Sequence, residues 1–485
     1  MSFDSLAFLI FLPLVTALHW LLPHRFRWVL LLAASLVFYA SWNVPLTLLL
    51  VGVTAVTYAA ARLLERLKGR AARRGVLLLA LAACVGLLLY FKYFNLLGES
   101  LTGLLSLFGA KARWEPLDIL LPVGVSFYTF QAMSCVLDVW RGKALPCRHF
   151  GYYALYISFF PQLVAGPIER AEDLLPQLRA ERRFRPGDLK AGGALLLAGY
   201  FRKLVIADFC GQFVNAVYAL ERPDGFAVLG ATVLFAFQIY CDFSGYSEIA
   251  KGAAKLLGID LMDNFDRPYL APSLRQFWRR WHISLSRWFT DYVYVPLGGS
   301  RRGFGRRLLA TLAVFALSGL WHGADATFLV WGLYHGGLLC VELALRRVSE
   351  KAPASASGGG PAAAPATRRA ATLRAACAAV RTFLLVSLGW IFFRAESLAQ
   401  AGTFLGCLFS PWDLSAGAAQ LGIGWIDLLW LCFGLAQLPL LYRLRKAETA
   451  GPRDTVYVLL LLCIAFAWLY ALDRDIQNAF IYFQF

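Results

Sequence analysis

The sequence predicts an all-α polytopic membrane protein with roughly eleven or twelve transmembrane helices plus re-entrant segments. Of its 485 residues, 59% are hydrophobic, and the mean hydropathy is +0.58. Apolar runs of about 18 residues or more, long enough to cross a hydrocarbon core, recur along the whole length. The basic residues gather in the gaps between those runs. The net charge of +17 therefore marks cytoplasmic loops and attraction to anionic headgroups, not a nucleic-acid binder.

The runs fall at 6–22, 28–42, 46–63, 76–97, 119–139, 191–220, 226–243, 308–320, 326–345, 378–393, 425–444 and 456–472. Several are short or broken, and a single domain over 1–485 is the simplest organisation. The opening Met-Ser-Phe-Asp-Ser has no basic n-region, so no cleavable signal is expected. Charge at His24-Arg25-Phe26-Arg27 and at 62–74 flanks an uncharged turn at Asn43-Val44-Pro45. Lys and Arg stay inside, which puts the N-terminus outside.

Residues 1–115 form a plain scaffold, with Lys92 expected to snorkel from the end of its span. In 121–131, Pro122 and Gly124 precede Ser126, Thr129 and Gln131, a helix facing a polar interior. Residues 159–168 are too short and too interrupted by Pro and Gly to cross, and are expected as a re-entrant segment buried in protein. Residues 351–369, rich in Ala, Pro, Gly and Ser, are expected to be a disordered linker. The ten cysteines contain no Cys-x-x-Cys pair and mostly lie in apolar runs. They are expected as small core residues, with neither a metal site nor a disulfide framework.

Polar groups concentrate between 238 and 325. Gln238, Asp242, Ser244 and Glu248 close an otherwise apolar run, and carboxylates at that depth call for a partner or an aqueous cavity. Asn264 comes next along the chain, then Arg279, Arg280, His282 and Ser286. As a helix, 276–288 would place Arg279, His282 and Ser286 on one face bordered by Trp278, Trp281 and Trp288. Its arginines suit membrane anchoring, with an anionic carrier or coenzyme phosphate as the alternative.

A histidine at an apolar fold-back is the sharpest feature. The run ending Ser318-Gly-Leu-Trp321-His322-Gly323 turns at Asp325 into a second apolar run. Arg301, Arg302, Arg306 and Arg307 close one end and Arg346 and Arg347 the other, so both ends should be cytoplasmic and the turn deep or outward. A titratable group there is costly without a role, and Asp325 is near in sequence. His19, His24 and His149 are expected at the interface or surface, and His335 as a packed, hydrogen-bonded residue.

Such a histidine can take the proton of an alcohol as its oxygen attacks an acyl carbon. The absence of a Gly-x-Ser-x-Gly elbow or a reactive cysteine context favours direct transfer over a covalent acyl-enzyme. Burial would keep water from the activated donor.

These residues resemble the membrane-bound O-acyltransferase family, in the branch of alginate O-acetyltransferases and teichoic-acid D-alanyl transferases. The motifs that carry the likeness are Leu121-Pro-Val-Gly-Val-Ser-Phe-Tyr-Thr-Phe-Gln131, Phe160-Pro-Gln-Leu-Val-Ala-Gly-Pro-Ile168 and Gln238-Ile-Tyr-Cys-Asp-Phe-Ser-Gly-Tyr246. Asn264-Phe265, Phe277-Trp-Arg-Arg-Trp-His-Ile-Ser-Leu-Ser286, Ser318-Gly-Leu-Trp-His-Gly323 and Phe480-Ile-Tyr-Phe-Gln-Phe485 complete the set. The resemblance implies a ring of tilted helices, with an outer funnel and a cytoplasmic tunnel meeting at a catalytic histidine. His322 matches that histidine and His282 the family's second. Gln238, Asp242, Ser244, Asn264, Trp321 and Arg279 are then expected to line the tunnel or bind substrate.

The function so implied moves an acyl group, acetyl first, from a cytoplasmic thioester toward hydroxyls of an extracytoplasmic polysaccharide such as alginate. No bound cofactor is expected; acetyl-CoA or a carrier-protein thioester would be a substrate. A periplasmic acetyltransferase partner is implied, along with the bilayer and the polysaccharide. D-alanyl transfer to teichoic acid is the alternative within the class. A transporter fits broken helices but not the lack of an internal repeat, and a synthase scaffold would tolerate loss of His322.

Overall fold

An apolar run in lipid must satisfy its backbone within itself, and the helix does so locally. The computed structural model describes residues 1–109, 113–164, 166–351, 365–446 and 453–473, and all regular structure among them is helical. In order these are α1 (Leu6–Leu21), α2 (His24–Ala40), α3 (Val44–Arg66), α4 (Arg70–Leu88), α5 (Phe94–Leu107), α6 (Val125–Trp140) and α7 (Phe150–Ser158). Next come α8 (Phe160–Leu163), α9 (Ala171–Arg179), α10 (Pro186–Tyr200), α11 (Asp208–Tyr218), α12 (Gly225–Leu256), α13 (Leu274–Arg280) and α14 (Ile283–Phe289). The series closes with α15 (Phe304–His322), α16 (Ala326–Lys351), α17 (Pro365–Arg394), α18 (Leu398–Leu408), α19 (Leu414–Leu421), α20 (Trp425–Lys446) and α21 (Arg453–Asp473). Single π turns, Leu89–Tyr93 and Phe201–Ala207, join α4 to α5 and α10 to α11.

Among the described residues, seven helices are long and apolar enough to cross a membrane, and three shorter ones are apolar. Exposed leucines and valines cover their outer faces, as lipid-facing surfaces require. The chain is a multi-pass helical membrane protein. Residues 352–364 of the expected linker and the Phe480–Phe485 motif lie outside the described residues.

The helices form two compact units. The first holds 1–209, 239–262 and 429–485. Within it α3 packs on α4 and α6 through Ala60, Ala61, Leu64, Leu77, Ala80 and Val136. Small residues there let backbones approach, the usual currency of helix association in lipid. The expected span 119–139 begins as helix only at Val125. Gly124 precedes it at φ +72°, and a Cβ there would meet the Leu163 carbonyl oxygen at 2.4 Å. The turn thus seats α6 directly on α8, and Phe159–Leu163 are buried as expected of a segment enclosed by protein.

In the same unit α10 crosses α12 backbone to backbone: a Cβ on Gly199 would lie 2.6 Å from the Gly245 carbonyl oxygen, and one on Gly252 2.8 Å from that of Gly192. The crossing brings the polar side chains beside it into register. Lys203 reaches Asp242 at 2.9 Å and Asp208 at 2.7 Å, and Arg202 pairs with Glu248. The carboxylates that the sequence left in search of partners have buried cations.

The second unit holds 210–238 and 263–428. Its centre is the antiparallel hairpin of α15 and α16, with α17 packed on α16. A Cβ on Gly319 would fall 2.2 Å from the Phe328 carbonyl oxygen, and one on Gly332 2.2 Å from that of Phe315. Neither carbonyl can move without breaking its helix. Gly332→Val is accordingly expected to split the hairpin and cost several kcal/mol by overpacking, read as loss of folded protein on detergent extraction and size exclusion.

Candidate functional site

Residues 276–288 carry the right side chains, but they are not one helix. α13 ends at Arg280, α14 starts at Ile283, and His282 between them has φ +43° and ψ 58°, in the left-handed region. Asn264 braces the break. Its Oδ1 accepts hydrogen bonds from the backbone N–H of Ser284 at 3.3 Å and from Ser284 Oγ at 2.7 Å, and its carbonyl oxygen accepts the N–H of Ile283 at 2.9 Å. The backbone reversal sends neighbouring rings to different places. Trp281 stacks on Phe277 (5.4 Å, 19°) within a cluster that includes Trp390 and Tyr269, while His282 meets the edge of Trp321 at 5.8 Å.

His322 is the last residue of α15 and Gly323 leaves the helix after it, so the sequence reading of a histidine at the fold-back holds. Its ring is edge-on to Trp321 (4.9 Å), Trp331 (5.1 Å) and Phe393 (5.2 Å), a wall contributed by α15, α16 and α17. His282 and His322 are 2% and 5% exposed. Burial holds the His282 imidazole far below its ordinary value, at about 3, so its ring is neutral and offers one donor and one acceptor.

Both histidines line one cavity of about 490 Å³, together with Arg279, Ser286, Asp291 and Ser318. Ser286 stays on that wall although the helix is broken, because α14 restarts at Ile283 and the N–H of Ser286 bonds the His282 carbonyl. The sequence-based set is thus divided. Arg279, His282 and His322 line the cavity; Asn264 and Trp321 support it by the hydrogen bonds and ring contacts above. Gln238, in α12, is buried, and its Oε1 has no hydrogen-bond partner among the described residues. Asp242 and Ser244 belong to the first unit, where Asp242 is held by Lys203.

Two expectations are corrected. Asp325 is exposed and lies just before α16, its carbonyl accepting the N–H of Phe328; the carboxylate that lines the cavity is Asp291. The sequence offered a signal for it, an acid inside the Arg-, Trp- and Tyr-rich stretch after His282, but a π turn at Thr290–Tyr294 displaces the helical phase. His335 is fully buried against Trp278 (5.0 Å) and Trp331 (5.2 Å), yet neither ring nitrogen has a hydrogen-bond partner among the described residues.

The second unit of this helical membrane protein thus encloses two histidines in one cavity walled in part by Trp278 and Trp281. The family model of the membrane-bound O-acyltransferases matches residues 146–369. The chain is 38% identical over 451 residues to the probable alginate O-acetylase AlgI of Pseudomonas aeruginosa, covering 90% of this chain and 82% of that protein. It is 33% identical over 410 residues to the peptidoglycan O-acetyltransferase of Helicobacter pylori, covering 76% and 71%. A more distant likeness, 27% over 241 residues, links it to the teichoic acid D-alanyltransferase of Bacillus subtilis, covering 46% and 59%. The chain belongs to the membrane-bound O-acyltransferase family, and it is an O-acyltransferase.

His282 tolerates a test that separates ring from backbone. Asn adopts the left-handed conformation more readily than other side chains. His282→Asn is expected to keep wild-type yield and thermal midpoint while cutting acyl transfer at least about 10²-fold if the ring handles a proton. His282→Val, β-branched at positive φ, should lower the midpoint as well.

Proposed function

We propose that the cavity joining His282 and His322 is where an acyl group, acetyl in our reading, leaves a thioester for an acceptor hydroxyl on its way to an extracytoplasmic polysaccharide. The observation that carries this is the convergence of two buried histidines from separate elements on one space. His322 takes the proton of the attacking hydroxyl as its oxygen adds to the thioester carbonyl. The carbon–sulfur bond then breaks, the proton passes to the departing thiolate, and an ester and a free thiol result. His282, neutral and oriented by the break that Asn264 braces, holds a reacting group or relays that proton. Arg279 and Ser286 are placed to bind polar parts of the substrates. The aromatic wall excludes water that would hydrolyse the donor.

In this reading the protein sits in a bacterial inner membrane with its N-terminus periplasmic and both ends of the α15–α16 hairpin cytoplasmic. The basic clusters at those ends support that orientation. The donor is acetyl-CoA or a carrier-protein thioester, the acceptor an exopolysaccharide of the alginate type, and a separate periplasmic acetyltransferase completes delivery. The alginate O-acetylase relatives support this acceptor. Peptidoglycan is the second acceptor, favoured by the Helicobacter pylori relative. Ester-linked acetate on purified exopolysaccharide and on peptidoglycan, compared between a deletion strain and its complemented form, decides. Acetate regained on one polymer names the acceptor. Acetate unchanged on both by deletion removes the proposal.

A further inference from the structure

The α15–α16 hairpin carries a second cavity at the end away from His322. It measures about 330 Å³, and Arg275, Arg307, Arg346 and Arg347 line it with Glu350. Along α15, Arg307 lies fifteen residues before His322, or about 22 Å of helix, so this space is distinct from the histidine cavity.

Its charge is poorly balanced from within. Glu342 serves two arginines, pairing with Arg346 at 2.8 Å and accepting the backbone N–H of Arg275 at 3.3 Å. Arg347 is laid over the Phe304 ring at 4.4 Å. Arg307 keeps its Nε buried with no hydrogen-bond partner among the described residues. Partial burial, then the neighbouring guanidiniums of Arg279, Arg307 and Arg346, push Arg275 below the ordinary arginine value against the pull of Glu342. Four guanidiniums gathered against two carboxylates leave a net positive charge that an anion would offset. Forked, planar donors suit the oxygens of a phosphate above all. The cavity also lies at the ends of two helices long and apolar enough to cross a membrane, where lipid headgroups would be within reach.

We propose that this cavity binds a phosphate ester, with Arg275, Arg307 and Arg346 as its principal donors. The anion comes either from an anionic phospholipid or from a soluble phosphate-bearing molecule such as a coenzyme. The site stands whether or not His322 has the role given above.

The test uses the full-length protein in nanodiscs of phosphatidylcholine. Arginine modification by phenylglyoxal is followed residue by residue, with coenzyme A added or with phosphatidylglycerol built into the disc. Modification of Arg275, Arg307 and Arg346 is expected to slow at least about tenfold with one of the two, with Arg301 and Arg302 unchanged. Protection by phosphatidylglycerol alone assigns a lipid, and protection by coenzyme A alone a soluble ester. R307Q/R346Q should weaken the same probe at least about tenfold, whereas R301Q/R302Q should not. The footprint needs only wild-type protein, so it decides even if R307Q/R346Q misfolds. No protection by either probe, or equal protection of Arg301 and Arg302, overturns the site.

Discussion

His322→Ala is expected to lower acyl transfer by about 10²–10⁴-fold, the range that a positioned general base supplies. The change should fall on turnover, with the protein still extracted at wild-type yield. The ring packs edge-on against Trp321, Trp331 and Phe393 at the very end of α15, and the helix runs to Trp321 without it. The measurement is ester-linked acetate on polysaccharide in membranes from a strain that carries only the variant. His322→Gln separates shape from chemistry: it keeps a donor and an acceptor but cannot accept the hydroxyl proton, and should be as inactive as alanine. Full activity in either variant would leave His282 to act alone or would send the chemistry elsewhere.

The largest expected effect on stability lies in the first unit. Lys203 is 1% exposed and holds Asp208 and Asp242 at once. Lys203→Met leaves two buried carboxylates without their shared cation, and breaking a buried pair in this way costs about 3–5 kcal/mol. The midpoint in detergent should fall steeply. Adding Asp208→Asn and Asp242→Asn, which removes the stranded charge, should restore most of it. If the single variant unfolds no earlier than wild type, water or another cation is compensating these acids.

Much of this was legible beforehand. Repeated apolar runs announce a helical membrane protein because lipid leaves the backbone no other economical choice. The fold-back at His322 is plain from Gly323 and from basic residues at both ends of the hairpin. Other features were hidden for definite reasons. The break at His282 has no Gly or Pro to mark it; Asn264, eighteen residues upstream, supplies the hydrogen bonds that make it possible. Lys203 sits in an apolar run where a basic residue looks incidental, and only the crossing of α10 over α12 brings it to Asp242. Asp325 is close to His322 in sequence but on the outside of the turn, whereas Asp291 reaches the cavity through a π turn that no periodicity predicts.

The two walls of the histidine cavity differ mechanically. His322 rides on a hairpin whose helices touch backbone to backbone at Gly319 and Gly332, which leaves no slack for sliding. His282 rides on a joint between two helices of seven residues each, braced by Asn264 and by the packing of Trp281 against Phe277 and Trp390. One histidine is fixed by the contact of two helices and the other by a braced backbone reversal, so bulk added at Gly319 or Gly332 should displace His322, and loss of the Asn264 amide should displace His282.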